Sequence, residues 1–290
     1  MPSRSEPQVI TPRLLREWPL PVPEGGKDSR GTVLVVGGSR STPGAVLLAG
    51  VAALRAGAGV LQLAVAESTA AVLSIQVPEA LVFGLPETPE GSIVGTPPKR
   101  LLDLVADARV VSVGPGLDNV EETGRLLRAV LDAAGPDTAF VLDAYALGAL
   151  SREPDLLADR PQQVVLTPNF TEAGYLLDGA DPGEGAAATA IALAERYGAV
   201  VSLYGQIAAP DGRTWREESG DAGLGTSGSG DVLAGIVAGL LSRGIEPAQA
   251  ACWGAYAHAA SGQRLIPRFG RIGFLARELL DEVPRTLATV

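Results

Sequence analysis

The chain has 290 residues, 46% of them hydrophobic, enough apolar content for one large core or two ordinary domains. Its formal net charge of −10 leaves no general basic face, which argues against a nucleic-acid partner. One Cys and one His exclude an intrachain disulfide and argue against a zinc site.

Residues 1–30 read as a tail with one short helix near Leu14–Trp18. They are polar and proline-rich with no apolar signal-like stretch, so a cytoplasmic protein is expected. The first strand is Thr32–Val36, TVLVV, which runs into GGS at Gly37–Ser39. A helix over Gly44–Ala56 follows, stopped by Gly57 and Gly59, and Val60–Val65 is the next strand. This is a βαβ unit with glycines at the carboxyl end of its first strand. The apolar stretch Pro43–Val65 is interrupted by Arg55 and by glycines, so it is helix, turn and strand rather than a membrane span.

The alternation continues. Leu81–Phe83 reads as a short strand, Pro98–Ala106 as a helix, and Ala108–Val113 as a strand ending in GPG. Glu121–Ala134 is a predicted helix, Thr138–Leu142 a strand ending at Asp143, and Val164–Leu166 a strand ending in TPN. Helices over Thr171–Leu177 and Glu184–Tyr197 precede the strand Ala199–Leu203 and a hairpin over Ile207–Trp215 with Asp211-Gly212 at its turn. Ser229–Gly262 is almost all helical and Arg271–Glu282 adds a helix. Continuous apolar strands are the mark of a parallel sheet covered on both faces. No linker divides the chain, so residues 31–290 are expected to form one α/β domain.

The sharpest local pattern is GLGTSGSGD, Gly223–Asp231, followed by VLAGIVAGLL. A glycine-rich loop that feeds a helix presents backbone N–H groups without intrahelical partners, a ready anion site. Gly228, Ser229 and Gly230 form the expected anion hole, and Asp231 stands where a carboxylate could take a proton from a hydroxyl. A plain helix-start charge or cap is the competing account of Asp231. Ser39, Asp143, Asn169 and Gly114–Gly116 also fall at or just past strand ends, where open parallel sheets bind ligands. Capping is the alternative for Asp143 and for Asn169, which has Glu172 three residues on. No GK[ST] follows the loop, so it is not a Walker A motif.

Six pieces in order carry a family likeness: Val33–Gly59, VPEALV at Val77–Val82, SVGPGL at Ser112–Leu117, VLDAYAL at Val141–Leu147, VVLTPNFTEAGYLL at Val164–Leu177, and Gly223–Gly244. In these the chain resembles the ADP/ATP-dependent NAD(P)H-hydrate dehydratases, the carbohydrate-kinase-like branch of the ribokinase-like fold. The resemblance implies a three-layer α/β/α architecture with a mostly parallel central sheet. It implies a nucleotide-dependent hydro-lyase that repairs hydrated NADH or NADPH. Such an enzyme phosphorylates the ring hydroxyl and eliminates phosphate, yielding AMP when ADP is the donor. By the same resemblance Ala45, Gly116, Asn169 and Asp231 would touch the hydrate. Tyr204, Gly205, Gln206, Ile207, Ala208 and Gly230 would touch the nucleotide. It further implies Mg²⁺ with ADP or ATP as phosphoryl donor and a homo-oligomer, dimer or tetramer; no residue of the sequence is expected as a metal ligand. Only the tail precedes Gly31, so no epimerase domain is expected.

The sequence departs from the family pattern where the family has His in place of Asn169, Lys in place of Tyr204 and Asp in place of Tyr145. Tyr204 cannot supply the missing positive charge. Two alternatives stay open at this point: a kinase for a sugar-like or vitamin-like alcohol, and a non-catalytic nucleotide-binding protein.

Overall fold

The computed structural model describes residues 6–22, 24–160, 163–180 and 183–290, so the first five residues of the expected tail lie outside it. The chain opens with β1 (Gln8–Val9), α1 (Pro12–Glu17), β2 (Thr32–Val36), α2 (Pro43–Ala56), β3 (Val60–Ala66), α3 (Glu67–Gln76) and β4 (Ala80–Leu85). Next come α4 (Lys99–Asp107), β5 (Val110–Val113), α5 (Val120–Ala133), β6 (Ala139–Leu142), α6 (Tyr145–Arg152), β7 (Val164–Leu166), α7 (Phe170–Leu176) and α8 (Gly185–Tyr197). The last part holds β8 (Val200–Leu203), β9 (Gln206–Ala208), β10 (Thr214–Arg216), α9 (Ser229–Ser242), α10 (Pro247–Phe269) and α11 (Ala276–Leu287).

All the strands join one sheet in the order β1-β10-β9-β8-β7-β6-β5-β2-β3-β4. From β4 to β8 every pairing is parallel; β9 pairs antiparallel to both β8 and β10, and β1 runs parallel to β10 at the far edge. Strand β2 shows why its sequence lacks polar alternation. Val33 and Val35 pack into one core with Ala49, Ala53 and Val237, while Leu34 and Val36 pack into the other with Leu126 and Leu147. Helices cover both faces, so both sides of each pleat must be apolar. The architecture is the expected three-layer α/β/α.

A close approach of α9 to α2 sets the position of the glycine-rich turn. A Cβ on Gly235 would stand 2.1 Å from the Ala49 carbonyl oxygen, and one on Gly239 2.3 Å from that of Ala53. Only glycine lets α9 lie this close to α2. The N-terminus of α9, and with it Asp231, is thereby fixed against the second element of the βαβ unit.

The segment before β2 packs on the body. Leu15 of α1 is fully buried, Trp18 stacks on Trp215 at 5.7 Å, and the Trp253 indole and Gln249 amide donate to the Trp18 carbonyl. Strand β1 was not expected, since two residues offer no periodicity to read. Helix α3 was missed for a related reason: only Leu73 of it is buried, so it lacks an apolar stripe. Among the described residues no helix is long and apolar enough to cross a membrane.

Candidate active site

A cavity of about 700 Å³ opens beyond the carboxyl ends of β6, β7 and β8, against the N-terminus of α9. Each strand ends its apolar run there and delivers a polar residue: Asp143 after β6, Thr167 and Asn169 after β7, Tyr204 after β8. Gly228, Ser229, Gly230 and Asp231 close the site from the helix side.

Asp231 is the third residue of α9, and Gly228, in the left-handed region, is the cap; no side chain caps this helix. Asp231 is therefore not the cap, but it does stand in the first turn of α9, where a helix-start charge would be. Burial pushes its carboxyl up to about 6. Asp143 likewise is not a cap, because Ala144 holds that position at the start of α6. The buried Asp143 carboxylate instead accepts a 2.8 Å hydrogen bond from the Thr167 hydroxyl. Burial, followed by the negative charge of Asp231, pushes it up to about 7 despite that bond.

The anion turn is divided by its own hydrogen bonds. The Ser229 N–H donates to the Thr226 carbonyl at 3.2 Å, and its hydroxyl is hydrogen-bonded to His258 Nε2 at 2.9 Å. The first bond of the helix runs from Val232 N–H to the Gly228 carbonyl. Helix geometry leaves the Gly230 and Asp231 N–H groups to face an anion. Of the three expected anion-hole residues, Ser229 thus holds the turn in shape. His258 is buried, and burial lowers its pKa to about 4, so it is neutral. Its role in the site was not legible in the apolar run ACWGAYAHAA.

Asn169 caps α7 in a capping box: its Oδ1 accepts from the Glu172 N–H and Glu172 Oε2 accepts from the Asn169 N–H, both at 2.9 Å. The capping account is correct for this residue, and its amide NH₂ remains to donate to a ligand. Tyr204 and Gly205 make the β8–β9 turn with positive φ, and both line the cavity. Gln206, Ile207 and Ala208 continue as β9, outside the cavity lining, with Ile207 and Ala208 buried in the two cores. Ala45 and Gly116 also lie outside the lining and adjoin each other: a Cβ on Gly116 would meet Ala45 Cβ at 3.0 Å and the Thr42 carbonyl at 2.4 Å. The Thr42 hydroxyl donates to the Gly116 carbonyl at 2.7 Å and is bonded to Ser39, so the turns after β2 and β5 form one unit beside the cavity.

Six carboxylates line the cavity, Asp143, Glu172, Glu217, Glu218, Asp221 and Asp231, while among the described residues no Lys or Arg does. Arg271 and Arg216 reach its rim through ion pairs with Asp221 at 2.8 Å and Glu218 at 3.0 Å.

The sheet and the helix-borne turn at its carboxyl edge define a ribokinase-like α/β protein. A ribokinase-like superfamily protein from Enterococcus faecalis superposes with a TM-score of 0.79 at 25% identity, covering 93% of this chain and 90% of that one. The family model described as NAD(P)H-hydrate dehydratase matches residues 33–285, and the chain belongs to that family. It is 46% identical to the ADP-dependent (S)-NAD(P)H-hydrate dehydratase of Xanthomonas campestris over 97% of this chain and 96% of that protein. The ADP/ATP-dependent NAD(P)H-hydrate dehydratase of Bacillus subtilis, co-crystallized with ATP/Mg²⁺, is 27% identical with a TM-score of 0.77, covering 98% and 99%. The bifunctional NAD(P)H-hydrate repair enzyme of Moorella thermoacetica is 37% identical over 91% of this chain, which spans 50% of that protein's length.

Proposed function

We propose that the protein is an ADP-dependent (S)-NAD(P)H-hydrate dehydratase. One observation carries the reading: a carboxylate of raised proton affinity, Asp231, adjoins unpaired N–H groups at the mouth of a glycine-fed helix. Asp231 takes the proton of the substrate's ring hydroxyl as that oxygen attacks the terminal phosphoryl group of ADP. The Gly230 and Asp231 N–H groups balance negative charge on the transferring phosphoryl. AMP leaves. Loss of phosphate from the ring carbon, with a proton from the neighbouring carbon, restores the dihydronicotinamide. The Asn169 amide and the joined Ala45–Gly116 turns are the proposed contacts of the hydrate. Tyr204 and Gly205 are those of the nucleotide, with Gln206–Ala208 as the strand that holds them.

The donor set suits a cation that arrives with the nucleotide. Among the described residues no group of three or more His, Cys, Asp or Glu could hold a metal by itself. Mg²⁺ keeps several waters and phosphate oxygens and needs only one or two carboxylates. Asp143 and Glu172 would hold it, and it would neutralise phosphate charge in a cavity whose lining lacks cationic side chains.

The test is direct. Purified protein with ADP, Mg²⁺ and NADPH hydrate should restore reduced-nicotinamide absorbance and release AMP and phosphate in equal amounts. A stable phosphate ester from an alcohol substrate, with no recovery of absorbance, would make the protein a kinase instead.

A further inference from the structure

We infer that Phe170 and Tyr204 form a stacking platform for the purine base of a bound nucleotide. This subsite rests on the nucleotide-dependent reading above and adds a residue, Phe170, that the family likeness did not supply.

The two rings lie 4.6 Å apart between centroids and within 16° of parallel, yet both are exposed, Phe170 by 52% and Tyr204 by 67%. Exposed rings of this size are not part of the core. Among the described residues Tyr204 is also one of three non-glycine residues with positive φ, at 46°. That conformation is strained for an L residue that carries a ring. A strained backbone that presents an exposed ring is a feature of ligand sites rather than of packing. Phe170 is fixed in place because it directly follows Asn169, whose capping box sets the start of α7. It covers one face of Tyr204. Tyr204 itself lines the cavity that holds the Gly228–Gly230 turn, which leaves its other face to a ligand.

The chemistry around the ring selects what stacks there. The Glu217 N–H donates to the Gly205 carbonyl at 2.7 Å, which brings Glu217 to the Tyr204–Gly205 turn, and Glu218 follows it in the same lining. The Ser219 and Gly220 N–H groups hold the Glu217 carboxylate in place, while Glu218 is ion-paired with Arg216. The Glu217 charge disfavours phosphate, which is left to the glycine turn, and its remaining lone pairs can accept from an exocyclic amine. A flat, neutral, amine-bearing heteroaromatic meets both conditions, and offset stacking on Tyr204 gives it apolar contact. Adenine is such a ring. It is carried both by the phosphoryl donor and by the dinucleotide substrate, and the experiment separates the two.

The full chain is titrated calorimetrically with three probes: ADP with Mg²⁺, tripolyphosphate with Mg²⁺, which has no base, and NADP⁺. The variants are Tyr204→Asn, Tyr204→Phe and Phe170→Ala. Asn tolerates positive φ and removes the ring without adding backbone strain. Y204N and F170A should weaken the base-bearing ligand roughly tenfold, Y204F should match the wild type, and tripolyphosphate binding should not change. A loss seen with ADP assigns the platform to the donor's base, and one seen with NADP⁺ assigns it to the dinucleotide's. Unchanged affinity of Y204N for both overturns the platform, as does an equal loss with tripolyphosphate. Wild-type protein that binds none of the probes overturns the platform and the nucleotide reading together; wild-type binding that the variants leave intact overturns the platform alone.

Discussion

The charge of Asp231 makes Asp143 harder to ionise: after burial, it is the largest influence raising the Asp143 carboxyl to about 7, while burial alone holds Asp231 at about 6. Two carboxyls in one cavity thus lose their protons in sequence, Asp231 first. A base must be ionised to act. The rate of hydrate dehydration should therefore rise with pH on a limb centred near 6. A kcat–pH profile from pH 5 to 8 measures it (roughly the window around the two carboxyls). A flat profile would remove Asp231 from the proton transfer.

The same burial gives Asp231→Asn an unusual stability signature. The folded-state pKa of Asp231 is raised above its ordinary value, so the folded protein holds this proton more tightly than the unfolded chain. Stability falls as pH rises through the window between the ordinary value of 3.8 and about 6, and the cost persists above it. Asn carries no such cost. D231N should melt higher than wild type at pH 8, by about 1–3 kcal/mol of stability, and the gain should vanish near pH 4. Its kcat should fall at least ~10²-fold. Paired melts and turnover assays check both parts. A D231N protein that is less stable at pH 8 and fully active would make Asp231 a helix-start charge and not a base.

Tyr204→Lys tests the missing charge separately from stacking. The cavity lining holds six carboxylates and, among the described residues, no Lys or Arg. An ammonium at the β8–β9 turn should strengthen binding of base-free tripolyphosphate with Mg²⁺ by about fivefold, roughly 1 kcal/mol for a partly exposed charge. The gain should shrink as salt rises from low to physiological levels. Titrations of wild type and Y204K at two salt concentrations decide it. No gain at low salt would mean that phosphate lies beyond reach of residue 204.

The strands from β2 onward and the glycine turn were legible because local chemistry dictates them. The run TVLVV at Thr32–Val36 is a strand wherever it is buried on both faces, and Gly223–Asp231 before an apolar run is a loop that feeds a helix. The capping box at Asn169 was legible from its three-residue spacing to Glu172. Contacts between distant segments were not. Nothing in either sequence segment shows that Phe170 meets Tyr204, or that His258 reaches Ser229 across 29 residues. The same holds for Ile207 and Ala208. They stand next to Tyr204 in sequence, but a strand alternates its faces and carries them into the cores rather than the cavity.

Two glycines of α9 should respond to alanine in opposite ways, and together they test whether the helix crossing positions the chemistry. A Cβ on Gly230 would have no neighbour within 4 Å, whereas one on Gly235 would stand 2.1 Å from the Ala49 carbonyl oxygen. Gly230→Ala therefore places a methyl in open space at the anion turn, and alanine's lower unfolded-state entropy should stabilise the fold by about 0.4–1 kcal/mol. That methyl occupies the approach of phosphate to the Gly230 and Asp231 N–H groups, so ADP affinity and kcat should both fall. Gly235→Ala gains the same helix propensity but forces α9 away from α2. Overpacking of this kind costs about 1–3 kcal/mol, so G235A should be destabilised. The shift also carries Asp231, four residues and about one helical turn away, out of line with the cavity. Its kcat should fall even under conditions where the protein is fully folded. Urea melts, ADP titrations and turnover of both variants give the comparison. If G235A kept wild-type kcat once folded, the contact between α2 and α9 would hold the fold together without setting the position of Asp231.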